Sequence, residues 1–170
     1  MKISTVRLIR IALYTALALV MGLVESVLPP ILWFAPGVKL GFANLVILIE
    51  LFTDGIGSGY ITLTLKCVLL SLIVGNPTSM LYSLPASLLS FTLEVVLAKL
   101  ALGKIGIISI SVVGAIVYNA LQTMIASLVI SSNILPLMVY FLPASLLAGA
   151  FTGAVALVVL KKLPEKFYCQ

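Results

Sequence analysis

The sequence contains no histidine and one aspartate, and charged side chains make up 9% of its residues. A Ser-His-Asp triad needs histidine, zinc sites are commonly built from cysteine and histidine, and magnesium at a diphosphate needs clustered aspartates. The sequence also has no glycine-rich loop ending in Lys-Ser or Lys-Thr, so the chain cannot be its own ATPase. We therefore expect a protein that is not an enzyme and that holds neither a metal nor a cofactor.

Cysteine and charge exclude two further classes of protein. Cys67 and Cys169 lie far apart in the sequence and predict no disulfide framework. The net charge of +5 does not indicate nucleic-acid binding, because eight of the ten basic residues fall in three short clusters that flank apolar segments. Membrane proteins use such clusters to set their orientation.

Apolar residues are what the chain has in abundance. They make up 62% of the sequence, and its mean hydropathy is +1.30. A soluble domain has about 45–50% apolar residues, and a single core of this size cannot enclose more. We predict an all-α integral membrane protein with one transmembrane domain over residues 1–170, surrounded by lipid. The basic beginning runs into the first apolar segment without a small-residue cleavage site, so we expect that segment to be retained as a helix.

The apolar segments predict the number of helices, because a membrane span needs about 20 mostly apolar residues. The six predicted spanning helices are about Leu8–Leu28, Leu40–Thr53, Ser58–Val74, Met80–Ala98, Ile105–Ile130 and Leu135–Leu160. The second and third are short, and the glycine-rich stretch after Asp54 predicts a tight turn between them. Merging these two into a re-entrant hairpin would reduce the count to five.

The basic residues predict the orientation. With six helices and a cytoplasmic N-terminus, eight basic residues face the cytoplasm and Lys39 alone lies in an outer loop. Cytoplasmic loops of membrane proteins are enriched in lysine and arginine, so we predict that both termini are cytoplasmic. A five-helix count would move Lys99 and Lys104 to the opposite side and weaken the asymmetry.

Two nine-residue stretches, YSLPASLLS from Tyr82 and YFLPASLLA from Tyr140, agree at seven of nine positions. Both fall at the predicted outer start of a helix, where tyrosine suits the membrane interface and proline suits the first turn. Two interpretations are open. Either two helices entering from one side pack in the same way, or both helix starts line one outward-facing pocket with the tyrosines on its rim.

Four charged residues lie within the predicted spans, where a charge needs a partner or water: Glu25, Glu50, Lys66 and Glu94. Glu50 and Lys66 flank the predicted turn on adjacent antiparallel helices, so they are expected to pair, either as a structural clamp or in a functional role. Glu94 lies about one turn from the inner end of its helix and is close enough to reach the cytoplasmic interface. Glu25, near the outer side, is the stronger functional candidate.

The fifth helix carries a polar face. Asn119, Gln122 and Thr123 share one side of the helix by their spacing, next to Tyr118. In lipid such a face must turn inward. It serves either hydrogen bonding between helices or ligand binding.

The first outer loop, from Leu28 to Asn44, contains three prolines, the single tryptophan Trp33 and the basic residue Lys39. We expect it to fold over the outer mouth as a lid, the alternative being an anchor in the headgroup region. In the first helix, Ala12 and Ala16 have a small-residue spacing that lets another helix approach closely.

The segments Val24-Glu-Ser26, Pro29-Pro30 and Pro36-Gly-Val-Lys-Leu-Gly-Phe-Ala-Asn44 resemble a bacterial membrane family labelled Gx transporter or heptaprenyl diphosphate synthase component I. Later segments fit the same pattern, so the resemblance covers nearly the whole chain. These are Leu81–Leu84, Tyr118-Asn119 with Gln122, and Tyr140–Pro143. One departure is Tyr118, where the family pattern has histidine.

The family is similar to the substrate-binding S components of energy-coupling factor transporters. This resemblance implies a six-helix bundle in the bacterial cytoplasmic membrane, with both termini inside and an outward pocket under the first outer loop. It also implies docking through Ala12 and Ala16 on a shared coupling subunit that works with two ATPases. The residues expected to bind the small molecule are Trp33, Lys39, Asn44, Tyr82, Tyr118, Asn119, Gln122 and Tyr140.

The ligand class stays open between a vitamin, a flavin-related compound and an isoprenoid precursor. The alternative function is a non-catalytic membrane subunit of a polyprenyl diphosphate synthase or a redox system. The predicted inner loops are short and only Lys161–Gln170 offers a partner much surface, which favours transport. A channel would need a continuous polar path, and one polar helix face supports that weakly.

Overall fold

The computed structural model describes residues 5–27, 41–100, 105–130 and 134–164. The described residues form six α-helices and no strand: α1 (Thr5–Val27), α2 (Phe42–Thr53), α3 (Ile56–Ile73), α4 (Thr78–Leu100), α5 (Ile107–Ile130) and α6 (Met138–Lys162). A short 3-10 turn, Leu135–Leu137, precedes α6. The prediction of an all-helical protein is confirmed.

Five of these helices have the length and apolar composition of membrane spans, and α2 does not. With 12 residues, α2 is about 18 Å long at 1.5 Å per residue, against a hydrocarbon core of about 30 Å. The predicted turn between α2 and α3 is present. Gly55 lies there at φ +93°, a conformation that favours glycine, so the two helices are not one continuous span.

The short helix α2 is also the most buried. Eight of its 12 residues are buried, against four of 23 in α1. It packs against α1, α3 and α6, and its leucines and isoleucines form a core cluster with Leu63, Phe91 and Ile110. A helix surrounded by other helices is apolar on all sides because it meets neither water nor much lipid.

The helices run alternately up and down, which gives the bundle two ends. Arg10 near the start of α1 contacts Asp54 at the α2–α3 turn. Tyr60 near the start of α3 contacts Thr92 near the end of α4. These contacts define an Asp54 end, and the start of α2 after Gly41 lies at the other, the Gly41 end. The basic residues predict that the Asp54 end faces the cytoplasm.

The closest helix packing is between α5 and α6. A Cβ atom at Gly149 would lie 2.7 Å from the Cα of Val112, and one at Gly153 would lie 2.7 Å from the Cα of Ile108. The two glycines, four residues apart, therefore let the backbones meet, as small residues do between membrane helices.

Ala12 and Ala16 on α1 have a different environment. Both are exposed, on the side of the helix away from the bundle. The buried stripe of α1 is Ile11, Thr15, Ala18 and Gly22. The small-residue spacing in α1 is therefore not used for packing within the chain.

The two similar nine-residue stretches lie deeper in their helices than predicted. Pro85 and Pro143 are inside α4 and α6 and not in a first turn, because both helices begin several residues earlier. Tyr82 is half-buried and Tyr140 is exposed. The Ala-Ser pair is buried in both copies, which agrees with the packing interpretation.

Candidate functional site: a polar interior at the Gly41 end

A cavity of about 70 Å³ opens among α1, α2, α3, α4 and α5 at the Gly41 end. We call it the Lys66 cavity. The polar side chains that line it include Glu25, Asn44, Lys66, Cys67, Ser83 and Tyr118. Charged and amide groups are costly inside an apolar bundle, so their convergence on one cavity marks the candidate site.

Lys66 is the cation of this site. Its side chain is buried, and its Nζ donates a hydrogen bond to Oδ1 of Asn44 at 3.0 Å. An ammonium group has three donors, so this bond leaves donors available in the cavity wall. The structure thus places a buried positive charge beside an amide, an arrangement suited to an anionic group.

The predicted ion pair between Glu50 and Lys66 is wrong. Glu50 is fully buried, and its Oε1 accepts a hydrogen bond from Thr62 at 2.9 Å. The helix register explains the difference, because Thr62 is the α3 residue that faces Glu50. Lys66 lies one turn farther from the hairpin turn, where it meets Asn44. Glu50 Oε2 is buried and has no hydrogen-bond partner within the described ranges.

Glu25, near the end of α1, contacts the residue that precedes α2. Its Oε1 accepts a hydrogen bond from the backbone N–H of Gly41 at 2.6 Å. Gly41 adopts φ +79° immediately before α2 and packs near Thr152. Glu25 therefore holds the start of α2 against α1 while also lining the Lys66 cavity.

The polar face of α5 turns inward, as predicted, for two of its three residues. Asn119 and Thr123 are buried, and so is the neighbouring Tyr118. Asn119 donates to the carbonyl of Ala115 at 3.1 Å, and Thr123 donates to the carbonyl of Asn119 at 2.8 Å. Both bonds stay within α5. Gln122 is only half-buried.

Two smaller cavities lie beside the Lys66 cavity. They measure about 20 and 10 Å³, and Glu94 lines both, so we call them the Glu94 cavities. Asn44 and Tyr118 line all three cavities. Asn119 lines the larger Glu94 cavity.

Glu94 therefore does not reach the cytoplasmic interface, which corrects that expectation. Its carboxylate lies against the α5 backbone at Gly114, where a side chain would occupy the same space. Ser90, one turn before it, donates to the carbonyl of Gly114 at 2.8 Å. The missing side chain at Gly114 allows the carboxylate to turn into the bundle.

The eight predicted ligand-binding residues do not all line the cavities. Asn44, Tyr118 and Asn119 line the cavities, whereas Tyr82, Gln122 and Tyr140 do not. Trp33 and Lys39 lie outside the described residues. The predictions missed the serines of α4 that face the site. Their spacing of three or four residues could have revealed them, because it places them on the same face of α4 as Glu94. These serines are Ser79, Ser83, Ser87 and Ser90.

A protein-family model described as heptaprenyl diphosphate synthase component I matches residues 14–161. No curated protein and no solved structure matches the chain. The matched segment contains every residue of the polar interior. The chain is a multi-pass, membrane-type helical bundle that belongs to the heptaprenyl diphosphate synthase component I family.

Proposed function

We propose that the chain is the membrane-embedded substrate-binding component of an importer of the energy-coupling factor type. It captures a small molecule from outside at the Gly41 end of the bundle. The observation that carries this proposal is the Lys66 cavity, where a buried ammonium and an amide line an open space inside an apolar bundle. Intramembrane ionisable groups of this kind mark substrate pathways.

In this proposal Lys66 and Asn44 hold an anionic group of the ligand, and Tyr118 lines the cavity beside them. Lys66 takes the role that the sequence had suggested for Lys39. Lys39 and Trp33 remain the residues that we expect to cover the ligand from the first outer loop. The chain itself catalyses no reaction.

Transport needs an energy source, and we propose that a coupling subunit and two ATPases supply it. The support within the chain is the outward face of α1, where Ala12 and Ala16 are exposed. Small residues on an exposed helix face let a partner helix approach closely. Ala16→Leu should prevent assembly with the coupling subunit while ligand binding is unchanged, and assembly of that variant would contradict the docking proposal.

The first experiment is mass spectrometry of small molecules retained by the gently purified protein. Lys66→Met should lose the retained compound, because the buried cation that faces its anionic group is gone. The matched control is Lys99→Met, since Lys99 is exposed at the end of α4. Retention by Lys66→Met would show that the cavity is not the binding site.

A second function is favoured by the description of the matching family, which names a synthase component. In this alternative the chain is a non-catalytic membrane subunit that assembles with a polyprenyl diphosphate synthase. Co-purification of a prenyl synthase with a chain that retains no small molecule would favour it. A retained compound that depends on Lys66 would favour the importer.

A further inference from the structure

One face of α4 is polar along most of its length. The serines that form it are spaced three or four residues apart and end at Glu94: Ser79, Ser83, Ser87 and Ser90. Ser79 and Ser83 line the Lys66 cavity, and Ser87 and Ser90 line the smaller Glu94 cavity. The hydroxyls therefore follow the cavities from the Gly41 end to the Glu94 carboxylate.

Glu94 is half-buried against Gly114, and none of the hydrogen bonds among the described residues ends on its carboxylate. A carboxylate accepts several hydrogen bonds, so this side chain has acceptor capacity left for a donor that enters from a cavity. Since Glu94 lines both small cavities, a group that occupied them would face this carboxylate directly.

The size of these cavities restricts what that group can be. At about 20 and 10 Å³ they offer room for one water-sized group each. A primary ammonium is close to water in size and donates three hydrogen bonds. A carboxylate or phosphate is larger, and its oxygens accept hydrogen bonds and cannot donate to Glu94. The Lys66 cavity, at about 70 Å³, has the opposite preference because its buried charge is positive.

We propose that Glu94 binds the primary ammonium group of an amphoteric ligand whose anionic group is held by Lys66 and Asn44. The substrate class is then a short amino acid or a similar zwitterion. This inference rests on the proposed binding function and names its substrate class. Neither charged residue alone would select such a compound, because each recognises only one half of it.

The test measures binding of matched probes to the purified full chain in detergent. The probes are glycine, β-alanine, 4-aminobutyrate and 5-aminovalerate, each compared with the carboxylate and the amine of the same chain length. At least one amino acid should bind at least about tenfold more tightly than both of its matched compounds. Equal binding of the matched carboxylate overturns the inference, and so does failure of every amino acid to bind.

Glu94→Gln gives a second readout, because glutamine keeps the shape of the side chain against Gly114. This variant should lose at least about tenfold in affinity for the preferred amino acid and retain its affinity for the matched carboxylate. Glu50→Gln is the control, since Glu50 is a buried carboxylate of the same bundle that lines none of the three cavities. Unchanged amino-acid affinity in Glu94→Gln would mean that only water occupies the Glu94 cavities.

The two proposals fail in different ways. If the chain retains a compound that depends on Lys66 but binds no amino acid of the series, the binding function stands and the substrate class is wrong. If it retains no compound and binds no probe, both are wrong. Detergent elution profiles of the variants show whether a loss of binding reflects a loss of fold.

Discussion

The α2–α3 hairpin has polar groups at both ends. Those at the Asp54 end contact α1, whereas those at the Gly41 end line a cavity. At the Asp54 end, Arg10 pairs with Asp54 at 3.1 Å and Tyr14 bonds Thr53 at 2.8 Å. These groups bond one another across the contact with α1, and Asp54 Oδ2 is buried without a hydrogen-bond partner among the described residues. At the Gly41 end, Asn44 is the hydrogen-bond partner of Lys66 within the described part of the chain, and both line an open cavity.

We propose that the difference separates groups that only hold helices together from groups that also face a ligand. Polar pairs between membrane helices contribute about 1 kcal/mol or less when both partners are satisfied by each other. The Lys66–Asn44 bond also joins two helices, but both side chains face an open cavity as well. We propose that recognition of a charged ligand accounts for this arrangement.

The largest expected effect on stability distinguishes a glycine inside the bundle from a glycine near the Asp54 end. Gly114→Ala should lower the free energy of unfolding by about 1–3 kcal/mol, because its Cβ would occupy the space of the Glu94 carboxylate. Gly57→Ala near Asp54 should be neutral or stabilise by up to about 1 kcal/mol, since its Cβ meets only the flexible Arg7 side chain at 3.4 Å. Thermal unfolding in detergent measures both, and equal stabilisation would contradict the position of Glu94.

The next prediction concerns stability and ligand retention, and it compares the two side-chain hydrogen bonds between α2 and α3. Asn44→Ala and Thr62→Val should each lower stability by about 1–3 kcal/mol, because each leaves a buried charged group without its hydrogen-bond partner. Only Asn44→Ala should also release the retained compound. Mass spectrometry of both variants checks this, and loss of the compound from Thr62→Val would remove the distinction between the ends.

The smallest effect is expected for Tyr14→Phe at the Asp54 end. The bond to Thr53 is lost, but the Thr53 hydroxyl still donates to the carbonyl of Ile49 at 3.0 Å. The free energy of unfolding should fall by at most about 1 kcal/mol, with ligand retention unchanged. A larger loss, measured by thermal unfolding, would mean that the hydroxyl does more than bridge α1 and α2.

The helical segments and the inward face of α5 could be predicted because they depend on local composition and on the 3.6-residue period. Tyr118, Asn119 and Thr123 had to face the bundle interior once lipid was the solvent. The partners of Glu50 and Lys66 could not be predicted in the same way. Their pairing depends on the register that the Asp54–Gly55 turn imposes on two helices, and a shift of one turn exchanges the partners.

Glu94 illustrates the same limit between helices. Its position near the inner end of α4 was compatible with reaching the cytoplasmic interface. Its inward direction depends on Gly114 of the neighbouring helix, which leaves space for the carboxylate. No pattern within α4 contains that information, although the serines on the same face point toward it.

By itself the sequence determined that this chain is an all-helical, membrane-type bundle, because its apolar content leaves no other solvent than lipid for most side chains. It also determined which segments are helices and where the α2–α3 turn lies. Only the tertiary structure decided that the shortest helix is the most buried one and that Lys66 meets Asn44. It also decided that Glu94 ends a row of serines inside the bundle. These relations depend on contacts between helices, which hydrophobicity along one helix does not encode.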